Sequence, residues 1–357
     1  MRLAMRPFAK RTRLCAVAVG LLAVTVGCTT RGSDAGQSAA GPDKKDVSSV
    51  KVAFVPGGPH PYFQPWKAAA DQVKADFKVG GTVFDETSQW DQAKQNSALN
   101  SLASQGYNAM GIFGVSPTDI NSTFTDLKAK GITVASLGSC PAGDKDEADF
   151  CLSTDVGEAA YKAAKTAIEA MNGTGKLVHL TGNNVDANTQ RRIAGVQKAV
   201  DETGGKVSIL TTIPDIDKDL QTAQKAVADL LSAQGNQIQG IVTTAYNPAV
   251  AAAAGVKSAG LPIKVVAIDD DATILAGIKD GSVAATIAQN PTGQAYVGGW
   301  ALAQLATGAC TMATPGTTVD SGSFVITKTN VDTYDTERKA KTTQLTEQFK
   351  SSVLKCS

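Results

Sequence analysis

From residue 50 onward, short apolar runs rich in β-branched residues alternate with longer stretches whose apolar positions recur every three or four residues. The runs fall at 50–55, 81–85, 109–113, 132–136, 176–181, 207–212, 239–243, 264–268 and 284–288. Compact apolar runs suit buried strands and the longer spacing lines one face of a helix, so the alternation predicts a βαβ series. Crossovers of this length are right-handed and build doubly wound parallel sheets, an α/β fold whose ligands sit beyond the carboxyl ends of the strands. Function is therefore to be sought in the loops that follow each run. Asp91 before QAKQNSALNSL and Thr118-Asp119 before INSTFTDLKAK stand where N-caps are expected. Residues 332–355 are polar, rich in Lys and Thr and sparse in apolar positions, which predicts a surface helix stapled at Cys356 with no legible function.

Ahead of the series the pattern changes twice. Arg2, Arg6, Lys10, Arg11 and Arg13 precede an apolar stretch that ends at Gly27-Cys28, the layout of a secretory signal over 1–27 and too short for a membrane span. The Gly27-Cys28 junction resembles a bacterial lipobox, so Cys28 is expected to carry lipid and to anchor the chain at the outer face of the cell membrane. Residues 28–47 are small and polar, punctuated by Gly and Pro, and read as a flexible tether. Loss of the five basic residues of the signal leaves 29 Lys and Arg against 33 Asp and Glu, a net charge near −4 with no basic run. Such a chain has no electrostatic footprint for nucleic acid.

The remaining length, about 330 residues, exceeds what one core usually supports and implies two domains of about 150 residues each. Few aromatics with much Ala, Val and Gly suit closely packed α/β layers. Of six cysteines, Cys140, Cys151, Cys310 and Cys356 remain after the signal and the lipid candidate are set aside. In an exported protein they suggest two disulfides, and closing the short 140–151 loop would contribute about 3 kcal/mol. The pairing 140–151 with 310–356 is favoured over the other two, and over buried free thiols. Zinc is disfavoured because no Cys-x-x-Cys exists and only His60 and His179 could assist.

Each enzymatic reading lacks a part. Pro56-Gly57-Gly58-Pro59-His60 follows the first run but has neither the glycine spacing nor the free N–H groups that cradle a pyrophosphate. No Gly-x-Ser-x-Gly elbow accompanies the two histidines, and His179 within LVHL reads as a core residue. Asp269-Asp270-Asp271 at a strand end suits ligand acceptors or helix caps. No cofactor or metal is expected, and no catalysis. What recurs at strand ends is instead a polar and aromatic set: His60-Pro61-Tyr62-Phe63, Tyr246-Asn247-Pro248, Asp269, and Gln289-Asn290-Pro291. Aromatic faces pack on the C–H face of a carbohydrate, while Asn, Asp and Gln bond hydroxyls without adding cationic charge.

On HPYF, SPTDI, YNPA, VVAIDDD and above all DGSVAATIAQNP, in that order and spacing, the chain from about 50 to 325 resembles the ribose- and galactose-type periplasmic binding proteins of type I fold, the sugar-binding components of ABC importers. The resemblance implies two lobes, 48–154 with 291–324 and 155–290 with 325–357, joined by three crossovers near 153–155, 289–290 and 324–327. It places His60, Tyr62 and Phe63 on one wall of the cleft, and Asn247, Asp269 and Gln289 on ligand hydroxyls. Asn184, Asp186 and Gln190 then fall on the second lobe's binding loop. It also implies a monomer that hands its ligand to the membrane permease of the importer. A sensory accessory of a membrane receptor would share this fold, and a lac-repressor-type regulator would need a DNA-binding segment where the export signal stands.

Two departures bear on the ligand. Gly138-Ser139 and Gln190 stand where the family often has Arg or Lys, and Ile216 corresponds roughly to a stacking aromatic, for which Trp90 or Tyr246 could substitute. Missing cations argue against a sugar acid. The expected ligand is a neutral sugar alcohol of roughly four to six carbons, ahead of a neutral pentose or hexose.

Overall fold

The apolar runs become strands within a residue or two of their expected ends. The computed structural model describes residues 44–143, 145–184 and 186–357; the expected signal, Cys28 and most of the tether lie outside them. In the first lobe β1 (Lys51–Val55), α1 (Gln64–Phe77), β2 (Gly81–Phe84), α2 (Gln92–Ser104), β3 (Ala109–Ile112), α3 (Ile120–Ala129), β4 (Thr133–Leu137) and β5 (Phe150–Ser153) follow in turn. The chain crosses, and α4 (Val156–Ala170), β6 (Gly175–Leu180), α5 (Ala187–Asp201), β7 (Val207–Ile213), α6 (Leu220–Gln234), β8 (Gly240–Thr243), α7 (Tyr246–Ala259), β9 (Lys264–Ile268), α8 (Ala272–Asp280) and β10 (Ala285–Ala288) build the second. Then α9 (Pro291–Ala306), β11 (Cys310–Met312) and β12 (Thr317–Asp320) return to the first lobe, β13 (Phe324–Ile326) joins the second, and α10 (Tyr334–Gln348) and β14 (Leu354–Cys356) close the chain.

The two six-stranded sheets run β12-β5-β4-β3-β1-β2 and β13-β10-β9-β8-β6-β7. Their pairings are parallel apart from β13 on β10. Strand alternation splits each core in two: Val52 and Phe54 face Trp66, Val73 and Leu302 from α1 and α9, whereas Ala53 and Val55 face Leu99, Phe124 and Leu127 from α2 and α3. In the second sheet Leu177 meets α4 and α5, and Val178 meets α6 and α7. The Ala and Gly content is explained at α4 and α5. Ala159, Ala160, Ala163, Ala164 and Ala167 are buried there, and a Cβ added to Gly195 would lie 2.2 Å from the Gly157 carbonyl oxygen. Only glycine lets these two backbones touch.

The first crossing follows β5, the second lies at Gln289–Asn290 ahead of α9, and the third at Ser321–Ser323, earlier than the expected 324–327 because Phe324 already pairs with Ala288. At their centre Gln294 Nε2 donates to the Thr154 hydroxyl (3.3 Å) and to the Ser321 hydroxyl (3.0 Å), and the two hydroxyls lie 3.1 Å apart. The segment 325–357, expected with the second lobe, divides. Tyr334 packs on the second lobe, but Leu345, Phe349, Val353 and Leu354 enter the first lobe's core, and Phe349 meets Phe150 edge-on at 5.4 Å. Sparse apolar spacing hid this, because Leu345 is the one buried residue of α10 itself. Cys140 is joined to Cys151, and Cys310 to Cys356 across the β11–β14 pair.

Candidate functional site

Between the lobes the carboxyl ends of both sheets face each other. After β1 the loop 56–59 runs into His60, which caps a short turn by accepting the Tyr62 N–H at Nδ1 (3.2 Å). Its Nε2 lies 3.4 Å from Asp217 Oδ2 of the opposite lobe. Trp90 and Tyr246, one from each lobe, stand edge-on to the His60 ring at 6.1 and 5.7 Å. Trp90 is 47% exposed and sits at φ 59 after Gln89 at φ 52. Two left-handed non-glycine residues cost about 1 kcal/mol or more each, so the bend that lifts this ring is held by the surroundings. The Trp90 N–H donates to Gly57 O at 2.6 Å, and a Cβ on Gly57 or Gly58 would come within 2.7 or 2.8 Å of the indole. The glycines that fail as a phosphate loop are the bed on which Trp90 lies.

In the second lobe Asp269 follows β9 at φ 63, its N–H on Ile287 O (2.9 Å) and its carbonyl accepting from the Thr286 hydroxyl (2.6 Å). Its carboxylate accepts from Gln289 Nε2 at 2.8 Å, and burial pushes it up to about 6, with the Gln289 bond and the charges of Arg192 and His60 pulling the other way. Asp186 caps α5 through the Asn188 N–H (2.9 Å) and is also raised by burial, against the pull of Arg192. Tyr246 donates its hydroxyl to Asp271 at 2.8 Å. Further cross-lobe bonds run from Asn188 Nδ2 to Gly138 O (3.3 Å) and from Arg191 to the carbonyls of Cys140 (3.4 Å) and Pro141 (3.3 Å).

Not every residue expected at the site faces the cleft in the same way. Phe63 is buried and packs edge-on against Trp66 and Phe113, so it belongs to the first lobe's core and supports the wall from behind. Tyr62 directs its hydroxyl to Gln294 Oε1 (2.9 Å) at the crossings, and burial with the Asp269 charge pushes its pKa up, which keeps the phenol neutral. Asn247 spends its backbone N–H and its Nδ2 on Asp217 (2.8 and 2.9 Å), so it positions that carboxylate. Asn184 and Gln190 lie exposed at the rim, bonded to each other. Ser139 is buried beside Gly138. His179 is fully buried, bonds Thr244 at 2.8 Å and is pushed down to about 3 by burial, as a core histidine would be.

Two contributors were missed, Asp217 and Arg192. The segment Asp215-Ile216-Asp217-Lys218-Asp219 offers three acids in alternation: Asp215 holds the Asn184 N–H, Asp219 caps α6, and Asp217 turns to His60. Ile216 lies in the second lobe's core, and Tyr246, one of the two expected substitutes for a stacking ring, stands edge-on to His60. Arg192, two residues beyond Gln190, brings a cation near the Asp186 and Asp269 carboxylates. Its charge acts on Asp186, Asp269 and Tyr62, and its Nε is buried without a partner among the described residues. The helical repeat of α5 carries the signal, since Arg192 lies one turn beyond Asn188 and Thr189, both buried.

This arrangement can enclose a hydroxyl-rich molecule, and among the described residues no group of three His, Cys, Asp or Glu could hold a metal ion. The ribose import binding protein RbsB of Bacillus subtilis (strain 168) is 25% identical over 233 residues, covering 65% of this chain and 73% of its own. Among solved structures, an ABC transporter solute-binding protein from Burkholderia graminis in complex with D-arabinose superposes with a TM-score of 0.73 at 22% identity, over 81% of this chain and 99% of that one. The Caulobacter myo-inositol binding protein bound to myo-inositol gives 0.70 at 21% identity, over 80% and 95%. Residues 52–310 match the periplasmic binding protein domain, and the chain belongs to that family of transport solute-binding proteins, which are not enzymes.

Proposed function

We propose that the protein closes its lobes over a small neutral polyhydroxylated ligand and presents the closed form to the membrane permease of an ABC importer. The observation that carries this reading is the convergence of His60 and Trp90 from one lobe with Asp217 and Tyr246 from the other, while Gln289 at the crossing holds Asp269 at a strand end of the second lobe. Carboxylates and an amide bond hydroxyls, and the two aromatic side chains offer apolar faces to ring C–H groups. Both grounds for an acyclic sugar alcohol weaken: Arg192 adds a cation and Tyr246 an aromatic. A ring, either a neutral aldose or a cyclic polyol, therefore fits better, in line with the arabinose and myo-inositol of the two structural relatives. Attachment through a lipid on Cys28 and action as a monomer complete the reading.

A thermal-shift screen of D-ribose, D-arabinose, D-allose, myo-inositol, erythritol, xylitol and mannitol tests it. A ligand at a hundred times its Kd adds about 2.7 kcal/mol of stability. A melting shift with an aldose or myo-inositol is expected, abolished in Asp217→Ala. A shift confined to the acyclic alcohols would overturn the ring assignment, and no shift with any of the seven would overturn the carbohydrate reading.

A further inference from the structure

The polar C-terminal helix α10 has no part in either sheet, yet it touches both lobes and the loop that carries Asp269. At its start Tyr334 donates to Asp270 Oδ2 (3.2 Å), and Arg338 forms an ion pair with the same carboxylate while its guanidinium lies over the Tyr334 ring at 5.1 Å. At mid-length the Thr342 hydroxyl lies 3.1 Å from Asn290 Nδ2 and 3.2 Å from Asn290 Oδ1 at the second crossing. At its end, about 16 Å further along the axis than Tyr334, Leu345 and then Phe349 sit in the first lobe's core. The Cys310–Cys356 disulfide locks the following strand there.

We infer that α10 is a strap between the lobes, and that Arg338 is a positioning residue which holds the Asp269 loop from an anchor in the first lobe. The two seats differ in strength. The first-lobe seat is apolar and covalently pinned, whereas on the second lobe Val331 and Tyr334 pack against the core at the start of the helix and the Arg338–Asp270 ion pair alone holds its second turn, so hinge opening pulls on that pair first. The Arg338–Asp270 pair thus belongs to the closed form, and its removal shifts the equilibrium toward the open one without taking any group out of the cleft. Its target lies between Asp269, bonded to Gln289, and Asp271, bonded to Tyr246, so the loop it steadies carries two members of the site.

The inference rests on the binding reading only for its effect on ligand, so the decisive measurement is made without one. Spin labels at Lys130→Cys and Lys206→Cys, one at the far end of each lobe, report the interlobe distance distribution of the full chain. Arg338→Gln is expected to enrich the longer distances and Arg338→Lys to restore the shorter ones. Cys310→Ser with Cys356→Ser should enrich them equally, and Arg338→Gln on that background should add nothing, because either change frees the strap. For whichever of D-arabinose, D-ribose or myo-inositol binds, Arg338→Gln should weaken affinity about tenfold. A folded Arg338→Gln protein with the unchanged distribution would overturn the strap. Failure of all three ligands to bind would leave that readout intact and count against the proposed function alone.

Discussion

Asp269 offers a perturbation whose size can be worked out in advance. Its carboxyl is fully desolvated and sits at about 6 in place of 3.8. A group whose folded pKa is raised lets the folded state bind more protons between the two values. Below about pH 3.8 the penalty is absent; it grows as pH rises toward 6 and stays constant above. A shift of roughly two units corresponds to about 3 kcal/mol withheld from the folded state at neutral pH. Asp269→Asn removes the charge, keeps an oxygen for Gln289 Nε2 (2.8 Å), and tolerates the left-handed backbone at φ 63. Urea unfolding of both proteins at intervals from pH 3.5 to about pH 8 gives the difference directly, with other titrating groups cancelling. The variant should match the wild type at the acid end and exceed it by about 3 kcal/mol above pH 6, while binding the ligand more weakly. A difference that stays constant across the range would refute the argument, because it would mean that folding leaves the Asp269 pKa unshifted.

Three further outcomes are expected. Gly195→Ala should lower stability by about 1–3 kcal/mol in thermal or urea melts, since its methyl would meet the Gly157 carbonyl at 2.2 Å; an unchanged midpoint would show that α4 and α5 separate freely. Trp90→Ala should weaken ligand binding by about tenfold or more in calorimetry with little change in melting temperature, because the ring is 47% exposed. Arg191→Ala removes the bonds to Cys140 O and Pro141 O, made only with the lobes together, and should raise the ligand off-rate about threefold to tenfold in stopped-flow fluorescence while leaving the ligand-free melt unchanged.

Most of the parallel strands were legible because a strand buried on both faces leaves a near-continuous apolar run, as at 50–55, 109–113 and 264–268, and the half-buried edge strands at 81–85 and 207–212 kept enough β-branched and aromatic residues to stand out. β5 and β12 were not: Phe150–Ser153 and Thr317–Asp320 are short and flanked by polar turns, so no run announces them. At the proposed site, the positions of Asp269 and Gln289 could be read because each ends a strand. Asp217 could not, because alternate acids in one loop differ only in where the backbone turns them. The same limit hid Arg192, two residues beyond Gln190, and the core position of Ile216 beside Asp217. The C-terminal helix defeated sequence reading for another reason: its contacts are polar and made one at a time, which leaves no periodicity to detect.

The pivot and the clamp of this molecule are built from different chemistry. Thr154, Gln294 and Ser321 meet at the crossings as two hydroxyls and an amide, none of which carries charge. The contacts that join the lobes across the cleft include an imidazole facing a carboxylate and a guanidinium on two carbonyls. Mobile ions act over about 10 Å at 0.1 M and weaken exposed charges far more than neutral bonds. Of these contacts the exposed Arg191 guanidinium is the one that salt reaches, so on the proposed reading ionic strength leaves the axis of rotation where it is and the lobes keep one geometry of motion while their readiness to close drifts with the salt around them.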